Sequence, residues 1–491
     1  MLKNLPAPNY GDLDWKKVLV YLFLIALFIR FPFFFRDYID RDESTFIIMG
    51  QAWVDGHLPY TKLWDLKPPI TFLFFAAIIK VFGKSFIAIR LIGTLIVALT
   101  ALFSYGMARK LVTKKTAFWT SVCCVGLLSL FGSLQGVMSE HISSFFFCAG
   151  TFLLLGRAHG GRYFVIGLLY GLSMMTKLNM VDPILFVGVF LLWEGFRKKR
   201  SAQTLIDLVC WGTGILLVIL MTALPYYLQD MLPLWWESIF EAPLAYSEGK
   251  FHSPLSTLPF ISVVLGVLTV GYWFKLLDIR SRELQLIGLI CIGILLSFMQ
   301  AGKINGHYLI QLHPLVLVPF GMMASKIPAV KGNFRPMVYF LLLLLPMEAH
   351  LEYANILGNK IKRGTFYNGE GYTVPQYIID HKLDTRNIYF TEYHIGYWLL
   401  GTYPPTKAVT HPSNITRDQL FPYMGNPRKT GMGELRYIME RVRPHILVAR
   451  DGKKIFDKKL TWYNAYIDAY LARHYRLLAT VDQGLIYQRL E

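Results

Sequence analysis

The sequence has few charged residues, few cysteines and no internal repeat. Asp, Glu, Lys and Arg make up 17% of its 491 residues, whereas a soluble globular chain carries about 25%. All five cysteines lie in apolar stretches and none stands in a metal-spaced cluster, which argues against a disulfide framework and against a Cys-based zinc site. They are Cys123, Cys124, Cys148, Cys210 and Cys291.

Long apolar runs are what the chain has in abundance. Hydrophobic residues make up 54% of it and aromatic residues 15%, and its mean hydropathy is +0.40. A helix that crosses a membrane needs about 20 apolar residues. We therefore predict an α-helical polytopic membrane protein with about eleven transmembrane helices, within a range of roughly ten to thirteen. The runs lie near 18–36, 86–108, 116–133, 141–156, 162–177, 180–196, 204–228, 258–277, 284–300, 308–325 and 336–350.

The net charge of +18 comes mainly from Lys and Arg in the short loops between these runs. This distribution follows the positive-inside rule and does not indicate nucleic-acid binding. We therefore place the basic loops in the cytoplasm and expect the first run to be a signal anchor with a cytoplasmic N-terminus. The loops expected to face outward are 37–67, 134–140, 229–257 and 301–307.

The segment 70–82 is apolar but short. If it crossed the membrane, every later basic loop would face the opposite side. We therefore interpret 70–82 as an interfacial or re-entrant helix.

The chain changes character after about residue 350. The stretch 351–491 has no run long enough to span a membrane. Residues 387–391, 445–449 and 485–488 are typical of short strands, and 372–381 and 433–443 of helices. We predict a membrane domain over 1–350 and a small extracytoplasmic α/β domain over 351–491.

Carboxylates crowd the first outward loop. Asp37, Asp40, Asp42 and Glu43 directly follow the first apolar run. Charges beside a membrane face are costly unless they are solvated or used in function. Composition alone leaves both readings open, a wet loop with ordinary surface charges or a functional site.

The order of motifs in this region resembles that of a known family. It runs Asp42-Glu43, then Gly-x-x-Pro-Tyr at 56–60, Lys67-Pro68-Pro69, Phe-Gly-Lys-Ser at 82–85 and Arg90-Leu91. This order resembles the GT-C superfamily of membrane glycosyltransferases, and within it the branch of protein O-mannosyltransferases and the aminoarabinose transferase of lipid A. The resemblance covers about residues 15–350.

The resemblance implies a GT-C fold and a sugar donor carried on a polyprenyl phosphate. It places the catalytic base at Asp42, with Glu43 beside it. An acceptor hydroxyl would displace the lipid phosphate in one step, with inversion. The acceptor is a glycolipid, a protein or a polysaccharide. We expect no cofactor and no metal, although the resemblance leaves a divalent cation open.

Further candidates follow from position. Lys67 is expected to contact the donor phosphate, the alternative being a lysine that snorkels at the interface. The other donor-phosphate candidates are Arg90, Lys303, His307 and Tyr308. Glu140 and His141 either shape the acceptor pocket or lie in interfacial water. The pair Trp235-Trp236 belongs either to an interface belt or to a lid over the site.

Two other functions compete with a glycosyltransferase. A transporter or lipid flippase often has repeats and charges near the bilayer midplane, but here no repeat is present and the charges cluster at one face. A scaffolding subunit could lose the acidic pair Asp42-Glu43 and keep its function. The pair is present here, which argues against that role. We expect a multi-pass enzyme of the bacterial cytoplasmic (inner) membrane, in contact with membrane lipids.

Overall fold

The computed structural model describes residues 11, 13–156, 160–249, 253–302, 304–327 and 344–490. The chain divides into two compact units. The first comprises Met1–Phe33, Arg90–Thr222 and Phe251–Tyr353, and the second comprises Phe34–Ile89, Ala223–Lys250 and Ala354–Glu491.

Helices dominate the part of the chain before residue 328. In chain order they are α1 (Trp15–Arg30), α2 (Arg41–Val54), α3 (Pro69–Phe82), α4 (Phe86–Ala108), α5 (Lys114–Leu127), α6 (Ser139–Leu154), α7 (Gly160–Met174), α8 (Val181–Arg197), α9 (Ser201–Tyr227), α10 (Leu232–Trp236), α11 (Ala242–Gly249), α12 (Leu258–Trp273), α13 (Arg282–Ala301) and α14 (His313–Lys326).

The described residues after 343 mix helices and strands. The helices are α15 (Met347–Arg363), α16 (Glu370–Asp380), α17 (Gly396–Leu400), α18 (Gly431–Arg436) and α19 (Thr461–His474), and the strands are β1 (Tyr389–Phe390), β2 (Ile446–Arg450), β3 (Tyr475–Val481) and β4 (Gly484–Arg489).

Six helical stretches among the described residues are long and apolar enough to cross a membrane. Each coincides with a predicted span, which confirms a polytopic helical protein. They are Trp15–Phe35, Phe86–Ala108, Leu178–Arg197, Ser201–Tyr227, Leu255–Trp273 and Arg282–Ala301.

The remaining predicted spans form helices that are short for a membrane crossing. The runs at 116–133, 141–156, 162–177 and 308–325 form α5, α6, α7 and α14, which have 14 to 16 residues each. At a rise of 1.5 Å per residue such a helix covers about 21–24 Å, less than the roughly 30 Å of a bilayer core. Of the last predicted span, 336–350, residues 336–343 lie outside the described part. The number of eleven spans stays a prediction.

The outward loop predicted over 37–67 contains a helix that the sequence analysis missed. Asp40 caps α2, and Glu43 follows three residues later, an arrangement typical of a helix start. The interior of α2 is buried, and its Gly50 lies against the backbone of α3 at Ala76. Helix α3 has 14 residues, in line with the short helix predicted there.

Basic residues at helix ends of the first unit contact neighbouring segments. Arg282, at the start of α13, binds Glu194 near the end of α8 at 2.7 Å and the Leu154 carbonyl oxygen of α6 at 3.4 Å. Lys326, at the end of α14, donates to the Lys275 carbonyl oxygen at 3.4 Å. These contacts hold some of the basic helix ends together, and the membrane orientation predicted from the basic loops stays a prediction.

The sheet of the second unit has strand order β1-β2-β4-β3. Strand β1 runs parallel to β2, and the other neighbours are antiparallel, with Val448 opposite Ile486. This confirms a small C-terminal α/β domain and the three predicted strands, to which β3 is added. Its core is built by side chains from the sheet and from α19, including Leu447 and Ile467.

Candidate active site

Asp42 lies in the first turn of α2, in the second unit. Asp40 precedes the helix in an extended conformation, and its Oδ1 accepts a hydrogen bond from the Asp42 backbone N–H at 2.8 Å. The N-terminus of a helix carries a partial positive charge that stabilises acidic side chains. The local fold therefore favours a negative charge at Asp42.

Lys67 and His411 contact different oxygens of the Asp42 carboxylate. Lys67 Nζ lies 3.4 Å from Oδ2, and His411 Nε2 lies 3.3 Å from Oδ1. The side chains of Asp42 and Lys67 are 25% and 23% exposed. The structure thus brings the two predicted residues together and leaves both accessible to a substrate.

The backbone of Lys67 is held on both sides. Its N–H donates to Asp65 Oδ1 at 3.1 Å, and its carbonyl oxygen accepts from the Tyr60 hydroxyl at 2.6 Å. Pro68 is extended, and Pro69 opens α3, a position where the missing N–H of proline costs nothing. The Lys-Pro-Pro element therefore fixes the position of the backbone from which the Lys67 side chain extends.

Asp65 is a site residue that the sequence analysis did not single out. It is only 6% exposed. Burial raises the pKa of its carboxyl group, while the positive charge of nearby Lys67 acts in the opposite direction. The signal that identifies it is its position two residues before Lys67, because an Asp side chain often binds the backbone N–H two residues on.

Glu43 is buried, with 1% of its surface exposed. Successive residues of a helix point about 100° apart, so Glu43 faces the interior while Asp42 stays accessible. This burial favours a supporting role for Glu43 over direct contact with a substrate.

An ion-pair network flanks Asp42. Arg41 Nη2 lies 2.9 Å from both oxygens of Glu392, which also accepts from Lys453 at 3.0 Å. Burial alone would raise the pKa of Glu392, but the charges and hydrogen bonds of Arg41 and Lys453 outweigh it and lower that pKa. The network connects the start of α2 to the strand β1 region.

His394 lies behind α2. Its Nε2 is 3.0 Å from Thr45 Oγ1, whose own hydroxyl donates to the Arg41 carbonyl oxygen at 2.9 Å. Burial lowers the pKa of His394 well below its usual range, and the proximity of His411 and Arg41 lowers it further. His394 is therefore neutral at physiological pH.

The first unit contains a separate polar cluster. Glu140 forms a buried ion pair with Lys177 and accepts a hydrogen bond from the Ser139 hydroxyl at 3.0 Å. His307 Nε2 lies 3.7 Å from Glu140 Oε1, and Lys177 Nζ lies 4.3 Å from the ring centre of Tyr308. The predicted residues Glu140, His307 and Tyr308 are thus brought together.

The other predicted residues have different surroundings. His141 Nδ1 accepts from the Met138 backbone N–H at 3.2 Å and its Nε2 lies 2.9 Å from the Leu128 carbonyl oxygen, so both ring nitrogens contact the backbone. Arg90 is 1% exposed and donates to the Phe33 carbonyl oxygen at 2.5 Å. Lys303 lies outside the described residues. The roles of these residues toward donor and acceptor stay predictions.

No group of three or more His, Cys, Asp or Glu side chains is arranged to hold a metal ion within the described residues.

The residues of the Asp42 site that the sequence analysis missed are Asp65, Glu392, His394 and His411.

The sequence matches one known family over a third of its length. Residues 66–226 match the family described as dolichyl-phosphate-mannose-protein mannosyltransferase. The matched segment includes Lys67, Arg90 and Glu140. No curated protein matches the chain.

The fold is similar to that of ArnT from Cupriavidus metallidurans. The apo form of ArnT aligns with a TM-score of 0.64 at 12% identity, over 97% of this chain and 98% of ArnT. ArnT bound to undecaprenyl phosphate gives 0.63 at 12% identity, over 97% of each chain. The Archaeoglobus fulgidus oligosaccharyltransferase in complex with zinc and sulfate gives 0.50 at 12% identity, over 88% of this chain and 68% of that chain.

These likenesses confirm the predicted GT-C fold. Together with the six long apolar helices, they confirm a multi-pass membrane protein with this fold.

Proposed function

We propose that this chain transfers a sugar from a polyprenyl monophosphate to an acceptor hydroxyl, with inversion at the anomeric carbon and Asp42 as the general base. The pairing of Asp42 with Lys67 is the observation that carries the proposal. It places an accessible carboxylate at a helix start and an accessible ammonium group 3.4 Å away. The undecaprenyl phosphate bound by ArnT supports a lipid phosphate as the leaving group.

The step is a single displacement. The acceptor oxygen attacks the anomeric carbon from the side opposite the phosphate while its proton passes to Asp42. The bond between the anomeric carbon and the phosphate oxygen breaks, and its electron pair leaves with the lipid phosphate. Lys67 offsets the negative charge that this leaving group gains.

Lys67 also links donor binding to the strength of the base. Its ammonium group contacts Asp42, and a donor phosphate would compete for the same group. When Lys67 turns to the phosphate, Asp42 loses a positive neighbour and becomes a better proton acceptor. The acceptor is therefore deprotonated only when a donor is in place.

The site is proposed to face outward from a bacterial cytoplasmic membrane, with the N-terminus inside and 351–491 outside. The positive-inside distribution of the basic loops supports this orientation. The acceptor is accordingly a glycolipid, a protein or a polysaccharide of the cell envelope.

Mass spectrometry of envelope glycolipids, proteins and polysaccharides tests the proposal. It compares cells that carry the wild type, Asp42→Asn, Asp468→Asn or no gene. Asp468 is an exposed carboxylate paired with Lys454 and serves as the matched control. We expect a glycan with the wild type and the control but not with Asp42→Asn.

Two results would contradict the proposal. A glycan that persists in the Asp42→Asn cells excludes Asp42 as the base. Identical profiles in all four strains, combined with movement of a lipid across proteoliposomes, favour the flippase.

A further inference from the structure

His411 belongs to the C-terminal part of the chain, yet it contacts the carboxylate of the first outward segment. Its Nε2 lies 3.3 Å from Asp42 Oδ1, and its side chain is 10% exposed. Nothing in the sequence near His411 marks it as a site residue.

The hydrogen bonds of the ring determine which nitrogen carries the proton. Nδ1 accepts from the Ser413 backbone N–H at 3.2 Å and lies 2.8 Å from the Ser413 hydroxyl. A backbone N–H only donates, so Nδ1 is the unprotonated nitrogen. The proton of the neutral ring is therefore on Nε2, which points it at Asp42.

The loop that carries His411 is attached to the loop that carries Lys67. The Trp64 backbone N–H donates to Thr410 Oγ1 at 3.2 Å, and the Trp64 indole N–H donates to Ser238 Oγ at 3.0 Å. Both Trp64 and Thr410 are buried. His411 thus sits on a fixed support next to Asp65 and Lys67.

We propose that His411 is a positioning residue for Asp42, by which the C-terminal domain completes the catalytic site. The inference rests on the proposed function of Asp42 as base. The Nε2–H donates a hydrogen bond to Oδ1 and so fixes the orientation of the carboxylate. Oδ2 then faces the acceptor hydroxyl when Lys67 binds the donor phosphate. Without it the carboxylate loses the hydrogen bond that orients Oδ1, and a misplaced base costs about a hundredfold in rate.

The length of the replacement side chain provides the test. Glutamine places an amide N–H at the distance of Nε2, whereas asparagine places it near Nδ1, one bond too short to reach Asp42. The variants are His411→Gln, His411→Asn and His411→Ala. His381→Ala removes an exposed histidine that stacks on Tyr377 and serves as the control.

The assay measures transfer from undecaprenyl-phosphoryl mannose or aminoarabinose to membranes of cells that lack the gene. We expect kcat to fall roughly ten- to a hundredfold in the Ala and Asn variants and to recover in the Gln variant, with the donor KM unchanged. The acid limb of the pH–rate profile should move to higher pH in the Ala variant, because the carboxylate form loses a hydrogen-bond donor.

Wild-type kcat in His411→Ala, or equal kcat in the Asn and Gln variants, overturns the proposal. The Asn and Gln pair decides the matter even if the Ala variant does not fold. Activity in Asp42→Asn overturns the base assignment instead. Wild-type protein that binds undecaprenyl phosphate but transfers neither sugar to any acceptor contradicts the proposed function itself.

Discussion

Arg41 places one guanidinium nitrogen 2.9 Å from each oxygen of Glu392 and so connects the start of the Asp42 helix to the C-terminal domain. Glu392 is 7% exposed, and hydrogen bonds between charged groups contribute about 1.5–3 kcal/mol each. Glu392→Ala should lower the free energy of unfolding by about this amount, seen as a lower apparent Tm in detergent. Asp384→Ala removes an exposed pair with Arg386 and should change Tm little. Equal shifts in both would contradict this.

Lys67 should determine the affinity for lipid phosphate. Lys67→Met is expected to weaken binding of undecaprenyl phosphate by about tenfold or more, because one charge-assisted contact is lost. Lys67→Arg should retain part of the affinity, since it keeps the charge with a different geometry. Titration followed by native mass spectrometry measures the affinity of each variant for undecaprenyl phosphate. Lys62→Met, five residues away in the same segment, is the control, and equal loss in both variants would count against a specific phosphate contact.

His394 should make the stability of the second unit depend on pH. Its pKa is depressed in the folded protein, so below about pH 6.5 the unfolded chain binds a proton that the folded chain does not. Stability should therefore fall as the pH falls below about 6.5, by up to about 1.4 kcal/mol per pH unit, and level off above it. His394→Gln retains an N–H for Thr45 but does not titrate. The difference in Tm between wild type and variant should vary with pH only in the acid range, and a constant difference would exclude this role.

Glu140 and Lys177 should be coupled in stability. Glu140→Gln leaves the Lys177 ammonium group largely buried without its main counter-ion, and breaking a buried pair costs about 3 kcal/mol. The double variant Glu140→Gln/Lys177→Met should recover part of that loss, because the uncompensated charge is also removed. A double-mutant cycle on apparent Tm measures the coupling. Additive effects would show that the pair contributes nothing beyond its separate members.

Transfer should not require a metal ion. Lys67 contacts Asp42 at 3.4 Å, so a positively charged side chain balances the charge of this carboxylate. We expect activity to be unchanged after dialysis against excess EDTA, measured in the sugar-transfer assay. Loss of activity that Mg²⁺, Mn²⁺ or Zn²⁺ restores would contradict this expectation.

Sequence reasoning found the part of the site that is local in the chain. Asp42 and Lys67 lie in one segment, and their motif order indicated a shared role that the 3.4 Å contact supports. It missed α2, although Asp40 and Glu43 form a typical helix start, because the density of charges suggested a loop. His411 had no local signal at all, since a single sequence contains no information about which distant segments meet.

Membrane spans were predictable where one helix is both long and uniformly apolar, as in α4, α9 and α13. They were less so where the helix ends before its apolar run does. Helix α5 ends at Leu127 although its apolar run continues to 133, so this run gives a helix of 14 residues. Helix length depends on where the backbone is capped, which hydropathy does not report.

The second unit is assembled from three stretches that lie far apart in the chain, and the last of them extends to the C-terminus. A ribosome makes Asp42 and Lys67 early and His411 late, so the carboxylate meets His411 only after the final stretch has been made. A nascent or truncated chain therefore resides in the membrane without a complete site. The proposed sugar transfer therefore requires that the last stretch has been made and has folded together with the first two.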